Sequence, residues 1–168
     1  MSTPALPDAE AQCAELAELI RPQLQPNTML VGIHSGGSWV ARRLGEQLNL
    51  TSPIGLLDSS FYRDDFGKLG LHPQVKPTSL PFDVEGRPLI LIDDVLFTGR
   101  TTRAAINELF DYGRPASIKL AVLADRGDRE LPICAEFCAW KVSLADNQEL
   151  VLETTPDGKL QWRCDEHA

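Results

Sequence analysis

Leu89-Ile90-Leu91-Ile92 runs without a break into Asp93-Asp94, and that junction limits what the chain can become. An apolar run with no polar alternation suits a strand covered on both faces, as in a parallel sheet. A short apolar bridge, Val95-Leu96-Phe97, leads to Thr98-Gly99-Arg100-Thr101-Thr102, where a helical pattern begins. Ligands of open α/β sheets gather at the carboxyl ends of such strands. Here that end carries two acids, and the first N–H groups of the next helix are free of helical partners and able to meet an anion. Carboxylates accept from hydroxyls and amides donate to phosphates, so together they point to a phosphorylated sugar.

The remaining segments fit around that strand. Asp8 is placed to cap a first helix whose Cys13, Leu16, Ala17 and Ile20 share one face, and Pro22 stops it. Met29-Leu30-Val31-Gly32-Ile33 is a second buried-strand pattern, ending in His34-Ser35-Gly36-Gly37. Ser38 is the expected cap of the helix that follows, with Val40, Ala41, Leu44 and Leu48 on its stripe. A serine-glycine loop between strand and helix lets backbone approach a phosphate closely, although alone it equally describes a tight turn. Ile54 to Leu57 begins another strand, expected to continue through Asp58 to Phe61. From Phe66 to Phe82 the chain is polar and broken by Gly67, Gly70, Pro73, Pro77 and Pro81. Thr101 is expected to cap a helix burying Ala105, Ile106, Leu109 and Phe110, with Gly113 at its end. Ile118 to Ala124 and Phe137 to Val142 read as strands flanking the charged loop Asp125 to Pro132. Glu149 to Glu153 is one more, before a turn at Pro156-Asp157-Gly158. The alternation predicts an α/β fold, a doubly wound parallel sheet, with the two ends and the broken segment forming a small hood over its carboxyl edge.

At 168 residues, 43% hydrophobic and 24% charged, the chain reads as one globular domain over residues 1–168. No run reaches membrane-spanning length, and the N-terminus lacks a signal peptide's basic start and apolar core, so cytoplasm is expected. Cys13, Cys134, Cys138 and Cys164 form no Cys-x-x-Cys pair and read as idle thiols. A net charge of −8 argues against broad, nonspecific nucleic-acid binding, which needs cations to neutralise phosphates, but does not forbid a local basic face.

Asp93-Asp94-Val95-Leu96-Phe97-Thr98-Gly99-Arg100-Thr101 resembles the phosphoribosyl-diphosphate (PRPP) motif of the type I phosphoribosyltransferases. Gly113-Arg114-Pro115, Leu120-Ala121-Val122-Leu123 and Asp125-Arg126-Gly127-Asp128-Arg129-Glu130-Leu131-Pro132 narrow the resemblance to the PyrR family. The similarity runs from about Val31 to about Val142. It implies transfer of ribose 5-phosphate from PRPP to uracil, giving UMP and diphosphate, with Mg²⁺ carried on PRPP and no direct protein ligand. It implies that Asp93 and Asp94 serve the ribose, one on the sugar and the other held structurally or reaching metal through water. Thr98, Gly99, Arg100, Thr101 and Thr102 would hold the 5-phosphate, Arg100 either adding charge or facing solvent.

Ser35, Gly36 and Gly37 would form the diphosphate loop, which in the family often contains a non-proline cis peptide, here matching Ser35-Gly36. Gly36 stands where relatives commonly have arginine, so either another residue supplies that charge, with Arg63 the candidate, or activity is lower. The stretch from about residue 62 to 82 would be a lid that excludes water, and Arg126 would help hold the base. A homo-oligomer is expected.

A second function is an RNA-binding regulator of pyrimidine genes that senses UMP, with Arg42, Arg43, Arg126 and Arg129 as its basic face. Against it stand Glu10, Glu15 and Glu18 on the first helix, the net charge, and Asp128 where relatives commonly have histidine. A transferase for another nucleobase is the third. A phospho-receiver would carry its acidic pair on the first strand, a triphosphate P-loop would need Gly-x-x-x-x-Gly-Lys-Ser/Thr, and neither pattern is present. Arg126-Gly127-Asp128 spells an adhesion tripeptide by coincidence.

Overall fold

The computed structural model describes residues 2–58 and 78–168. Its elements run α1 (Ala9–Ile20), β1 (Met29–Ile33), α2 (Gly36–Gln47), β2 (Gly55–Leu57), β3 (Pro88–Leu96), α3 (Arg100–Phe110), β4 (Ser117–Asp125), β5 (Phe137–Lys141), β6 (Gln148–Thr154) and β7 (Leu160–Glu166). Five strands form a sheet in the order β2-β1-β3-β4-β5, every pairing parallel, while β6 and β7 make a separate antiparallel hairpin. The order reverses between β1 and β3, and open α/β sheets place their ligands outside that crevice.

Why β3 is apolar without alternation is visible in its two coverings. Ile90 and Ile92 join one cluster with Leu16, Ala17 and Ile20 of α1 and Val40, Ala41 and Leu44 of α2. Leu89 and Leu91 join the other, with Ala105 and Leu109 of α3 and with Val31 and Ile33 of β1. A fully buried leucine contributes roughly 1.5–3 kcal/mol, so neither face tolerates a polar residue until the strand reaches its carboxyl end.

The N-terminal helix starts as its sequence predicts, the Asp8 carboxylate accepting from the Glu10 and Ala11 N–H groups at 2.9 and 3.3 Å. It does not join a hood. It packs on the sheet face beside α2, β4, β5 and β7, because its buried stripe needs an apolar partner. The β6–β7 hairpin lies on the same face, where the Trp162 indole N–H donates to Gln12 Oε1 at 2.5 Å. Its Gln148 end reaches the carboxyl edge.

Local starts differ from expectation in two places. Helix α2 begins at Gly36, so Ser38 lies inside it and donates its hydroxyl to the Ser35 carbonyl at 2.6 Å. Helix α3 begins at Arg100 with Gly99 at the capping position, so Thr101 is already in the first turn. Phe110, expected inside, is exposed because the last turn of α3 rotates past the sheet. Cys13 is buried, and burial first, then the charge of Glu10, pushes its thiol up to about 12.

Replacing Leu91, which has no exposed surface, by alanine is expected to cost about 2–5 kcal/mol of unfolding free energy in urea titration. A loss below about 1 kcal/mol would place β3 at the sheet's margin rather than its centre.

Candidate active site

Three loops meet at the carboxyl ends of β1, β3 and β4. The first follows β1. Its cis peptide is His34–Ser35, one bond earlier than Ser35–Gly36, because Gly36 and Gly37 already belong to α2 and the Ser38 and Trp39 N–H groups already donate to the Ser35 carbonyl. Close approach of backbone requires glycine at position 37, and position 36 faces the Asp94 side chain. A Cβ on Gly37 would sit 2.4 Å from the Ile92 carbonyl oxygen, and one on Gly36 would sit 2.1 Å from the Asp94 carboxylate. The loop after β1 therefore lies directly on the acidic end of β3, and a side chain at position 36 would require the Asp94 carboxylate to turn aside.

The two acids part company as strand alternation requires. Asp93 is 6% exposed and accepts from the Asp94 N–H at 2.9 Å. Asp94 is half-buried against Gly36, on the α2 side, with one carboxylate oxygen accepting from the Val95 N–H at 2.8 Å. Asp94 is thus the more accessible of the pair.

The loop after β3 turns on Gly99, whose φ of 97° is the left-handed conformation that glycine adopts without cost. The Thr98 hydroxyl accepts from the Arg100 N–H at 3.2 Å. Thr98 and Thr102 are buried, Thr101 is half-buried, and Arg100 is exposed in an ion pair with Glu130 at 2.6 Å. The first amides of α3 carry the partial positive charge of a helix N-terminus.

The loop after β4 is bonded to the loop after β3. The Glu130 and Leu131 N–H groups donate to the Thr98 carbonyl at 2.9 and 3.1 Å, and the Arg126 N–H donates to the Leu96 carbonyl at 3.0 Å. Arg126 lays its guanidinium 3.9 Å over the Phe97 ring and donates to the Gln148 carbonyl at 3.3 Å. Its Nε is buried without a hydrogen-bond partner. Beside it a cleft of about 290 Å³ is lined by Asp125, Arg126, Gly127, Lys141, Val142 and Ser143. Sequence reasoning missed the last three. Lys141 closes a strand that ends level with Asp125, a register no local pattern reveals.

Burial of the Asp125 carboxyl raises its pKa. Hydrogen bonds from Arg129 and the Gly127 N–H, with the charges of Arg129 and Lys141, outweigh it and hold the group below the ordinary carboxylate value. Arg63 and residues 62–77 of the expected lid lie outside the described residues. Of the four arginines of the expected RNA face, three are engaged within the chain. Arg43 pairs with Glu10 at 2.9 Å and donates to the Gly158 carbonyl, Arg126 stacks on Phe97, and Arg129 pairs with Asp125 at 2.6 Å. Among the described residues no three His, Cys, Asp or Glu side chains converge as a metal cage, and no helix is long and apolar enough to cross a membrane.

The fold is that of phosphoribosyltransferases. The hypoxanthine phosphoribosyltransferase of Staphylococcus aureus superposes with a TM-score of 0.65, covering 87% of this chain and 80% of that one at 22% identity. A purine phosphoribosyltransferase of Pyrococcus horikoshii gives 0.62 over 80% and 82% at 25% identity. The family model for the phosphoribosyl transferase domain matches residues 4–154. The bifunctional protein PyrR of Ralstonia nicotianae is 48% identical over 155 residues, 90% of this chain and 88% of that protein. The one from Nitrosococcus oceani is 57% identical over 130 residues, 76% and 73%. The chain belongs to the PyrR family of phosphoribosyltransferases.

The lowered pKa of Asp125 has a signed consequence. Its contribution to stability is present above the ordinary carboxylate pKa of 3.8 and is lost as pH falls through the lower folded value. Between about pH 5 and about pH 3, the urea midpoint of Asp125→Asn should therefore fall less than that of the unaltered chain. Parallel declines would show that the carboxylate is not stabilised by Arg129.

Proposed function

We infer that the chain transfers ribose 5-phosphate from PRPP to uracil, forming UMP and diphosphate. One observation supports this above the others: an accessible acid and a helix N-terminus lie at the sheet's switch point, and a cleft of about 290 Å³ opens further along the same carboxyl edge. The Gly99–Thr101 amides suit the 5-phosphate. Asp94 suits a ribose hydroxyl, because an ionised carboxylate only accepts and the hydroxyl donates. Asp93, nearly buried, suits holding the strand end in place. The C1–oxygen bond to diphosphate breaks as the bond from C1 to uracil N1 forms, and the N1 proton leaves with the products. Positive charge grows on the ring in passing, as in other glycosyl transfers, and the two carboxylates favour it.

Magnesium enters with PRPP, on its diphosphate, as part of the substrate. Ser35, Gly36 and Gly37 are assigned to the diphosphate, and Arg63 remains the cation proposed for it. Uracil is assigned to the cleft beside Arg126, where Lys141, Val142 and Ser143 are within the lining.

The curated relatives are named bifunctional, and that favours a second reading, regulation of pyrimidine genes through RNA. Its basic face cannot be the four arginines taken together, since Arg42 alone of them is exposed. Cytoplasmic residence and a homo-oligomeric assembly belong with the same proposal.

Diphosphate release from PRPP and Mg²⁺, measured with each nucleobase in turn, should be greatest with uracil. Release with a purine and none with uracil would overturn the substrate. Asp94→Asn should lower turnover by on the order of 10²-fold or more while leaving the urea midpoint nearly unchanged, and equal turnover would remove Asp94 from the sugar. For the second reading, a pyrimidine leader RNA should be retarded in a gel in a salt-sensitive way, more strongly with UMP. Absence of any shift at modest salt would leave the enzyme alone.

A further inference from the structure

Arg129 is one of the most heavily committed side chains at the carboxyl edge. Its Nε donates to the Ile133 carbonyl at 2.8 Å. Its Nη1 donates to the Phe97 carbonyl at 2.9 Å and to the Gly127 carbonyl at 3.3 Å. Its Nη2 meets the Asp125 carboxylate at 2.6 Å. The partners belong to three separate stretches: the last residue before the phosphate loop, the end of β4, and both sides of the loop that follows it. A planar fork of five donors can reach such a set, whereas a lysine's single ammonium cannot span it.

What the fork joins matters more than how many bonds it makes. Phe97 carries Thr98 and Gly99, behind which the α3 amides start. Asp125 and Gly127 are two of the residues lining the cleft beside Arg126. The same loop returns over Gly99, where Leu131 and Ile133 lie close enough that a Cβ on the glycine would meet them at 3.0 to 3.3 Å. Removing Arg129 would leave the Phe97 and Ile133 carbonyls and the Asp125 carboxylate without this cation. The spacing between the phosphate loop and the cleft would then rest on the β3–β4 pairing, the main-chain bonds at Leu96 and Thr98, the Arg126–Phe97 stack and the Arg100–Glu130 ion pair.

We propose that Arg129 is a positioning residue that sets the distance between the phosphate loop and the base-side cleft, so that a nucleoside 5-monophosphate is recognised as one rigid object anchored at both ends. The proposal rests on the reading of this edge as a phosphoribosyltransferase site, and it has a consequence that a general loss of stability would not produce. A ligand that touches one loop is indifferent to the spacing. A ligand that must reach both is sensitive to it, by up to about 30-fold for residues that couple two sites without touching the ligand.

Isothermal titration of UMP and of ribose 5-phosphate, against the unaltered chain and against Arg129→Ala and Arg129→Lys, separates the cases. UMP affinity should fall on the order of tenfold or more in Arg129→Ala, while ribose 5-phosphate affinity falls by less than about threefold, within the effect of a lost surface-level contact. Arg129→Lys, which keeps the charge but not the fork, should behave more like alanine than like arginine. Should Arg129→Ala fail to fold, Arg129→Gln carries the same comparison. Equal losses for both ligands, no loss for either, or full restoration by lysine would each overturn the positioning role. If the unaltered chain binds neither ligand, the phosphoribosyltransferase reading of the edge fails first, and that result is distinct from the other three.

Discussion

Everything at the carboxyl edge depends on one strand that is apolar for most of its length and acidic at its end. β3 is covered on both faces, so its direction and register are set by burial of Leu89, Ile90, Leu91 and Ile92. A one-residue slip would exchange the two faces of the strand and drive Asp93 or Asp94 into a hydrocarbon layer. The same packing that stabilises the sheet therefore decides where two carboxylates emerge. With β1 on one side and β4 on the other, they emerge at the point where strand order reverses, between the loop bearing Gly36 and Gly37 and the loop bearing Gly99.

The contact between Gly36 and Asp94 sets the local charge of the loop after β1. Where the family resemblance leads one to expect arginine, the chain has a residue without a side chain, and the carboxylate of Asp94 occupies the space against it. An acid rather than a cation lies over the loop assigned to diphosphate. The positive charge that a diphosphate needs must come from helix N-termini, from the ion carried by the substrate, or from elsewhere in the chain. On the other side, the cations of the Asp125–Pro132 segment are turned inward. Arg126 covers Phe97 and Arg129 binds carbonyls, so a segment that looks like a charged surface loop serves as a clamp.

Much of the fold was legible because it follows from periodicity. The unbroken run at β3 gave a doubly covered strand, and Asp8 and the stripe through Cys13, Leu16, Ala17 and Ile20 gave α1 to its first residue. Helix starts next to glycine were less legible. Ser38 and Thr101 are good capping residues by type, yet both helices begin earlier, where the amide groups of Gly36 and Arg100 already fit the turn. The hood failed at its N-terminal half for a tertiary reason: the stripe of α1 finds its complement on the sheet face and on Trp162, 150 residues away. The loops of the site were legible as motifs, whereas Lys141, Val142 and Ser143 enter the cleft only through the pairing of β5 with β4. The destination of an arginine side chain is also beyond a motif. Arg129 has the type of a surface cation, and its partners at Phe97 and Ile133 are settled by the path of the backbone.

The central claim is that one nucleotide spans from the first amides of α3 to the cleft beyond Arg126. Amide chemical shifts followed by NMR during titration with UMP test it most directly. The account predicts that the Arg100 and Thr101 amides and the Gly127 amide shift along a single saturation curve, since one molecule touches both groups. Movement of the Gly127 signal without the α3 amides, or of neither, would contradict it.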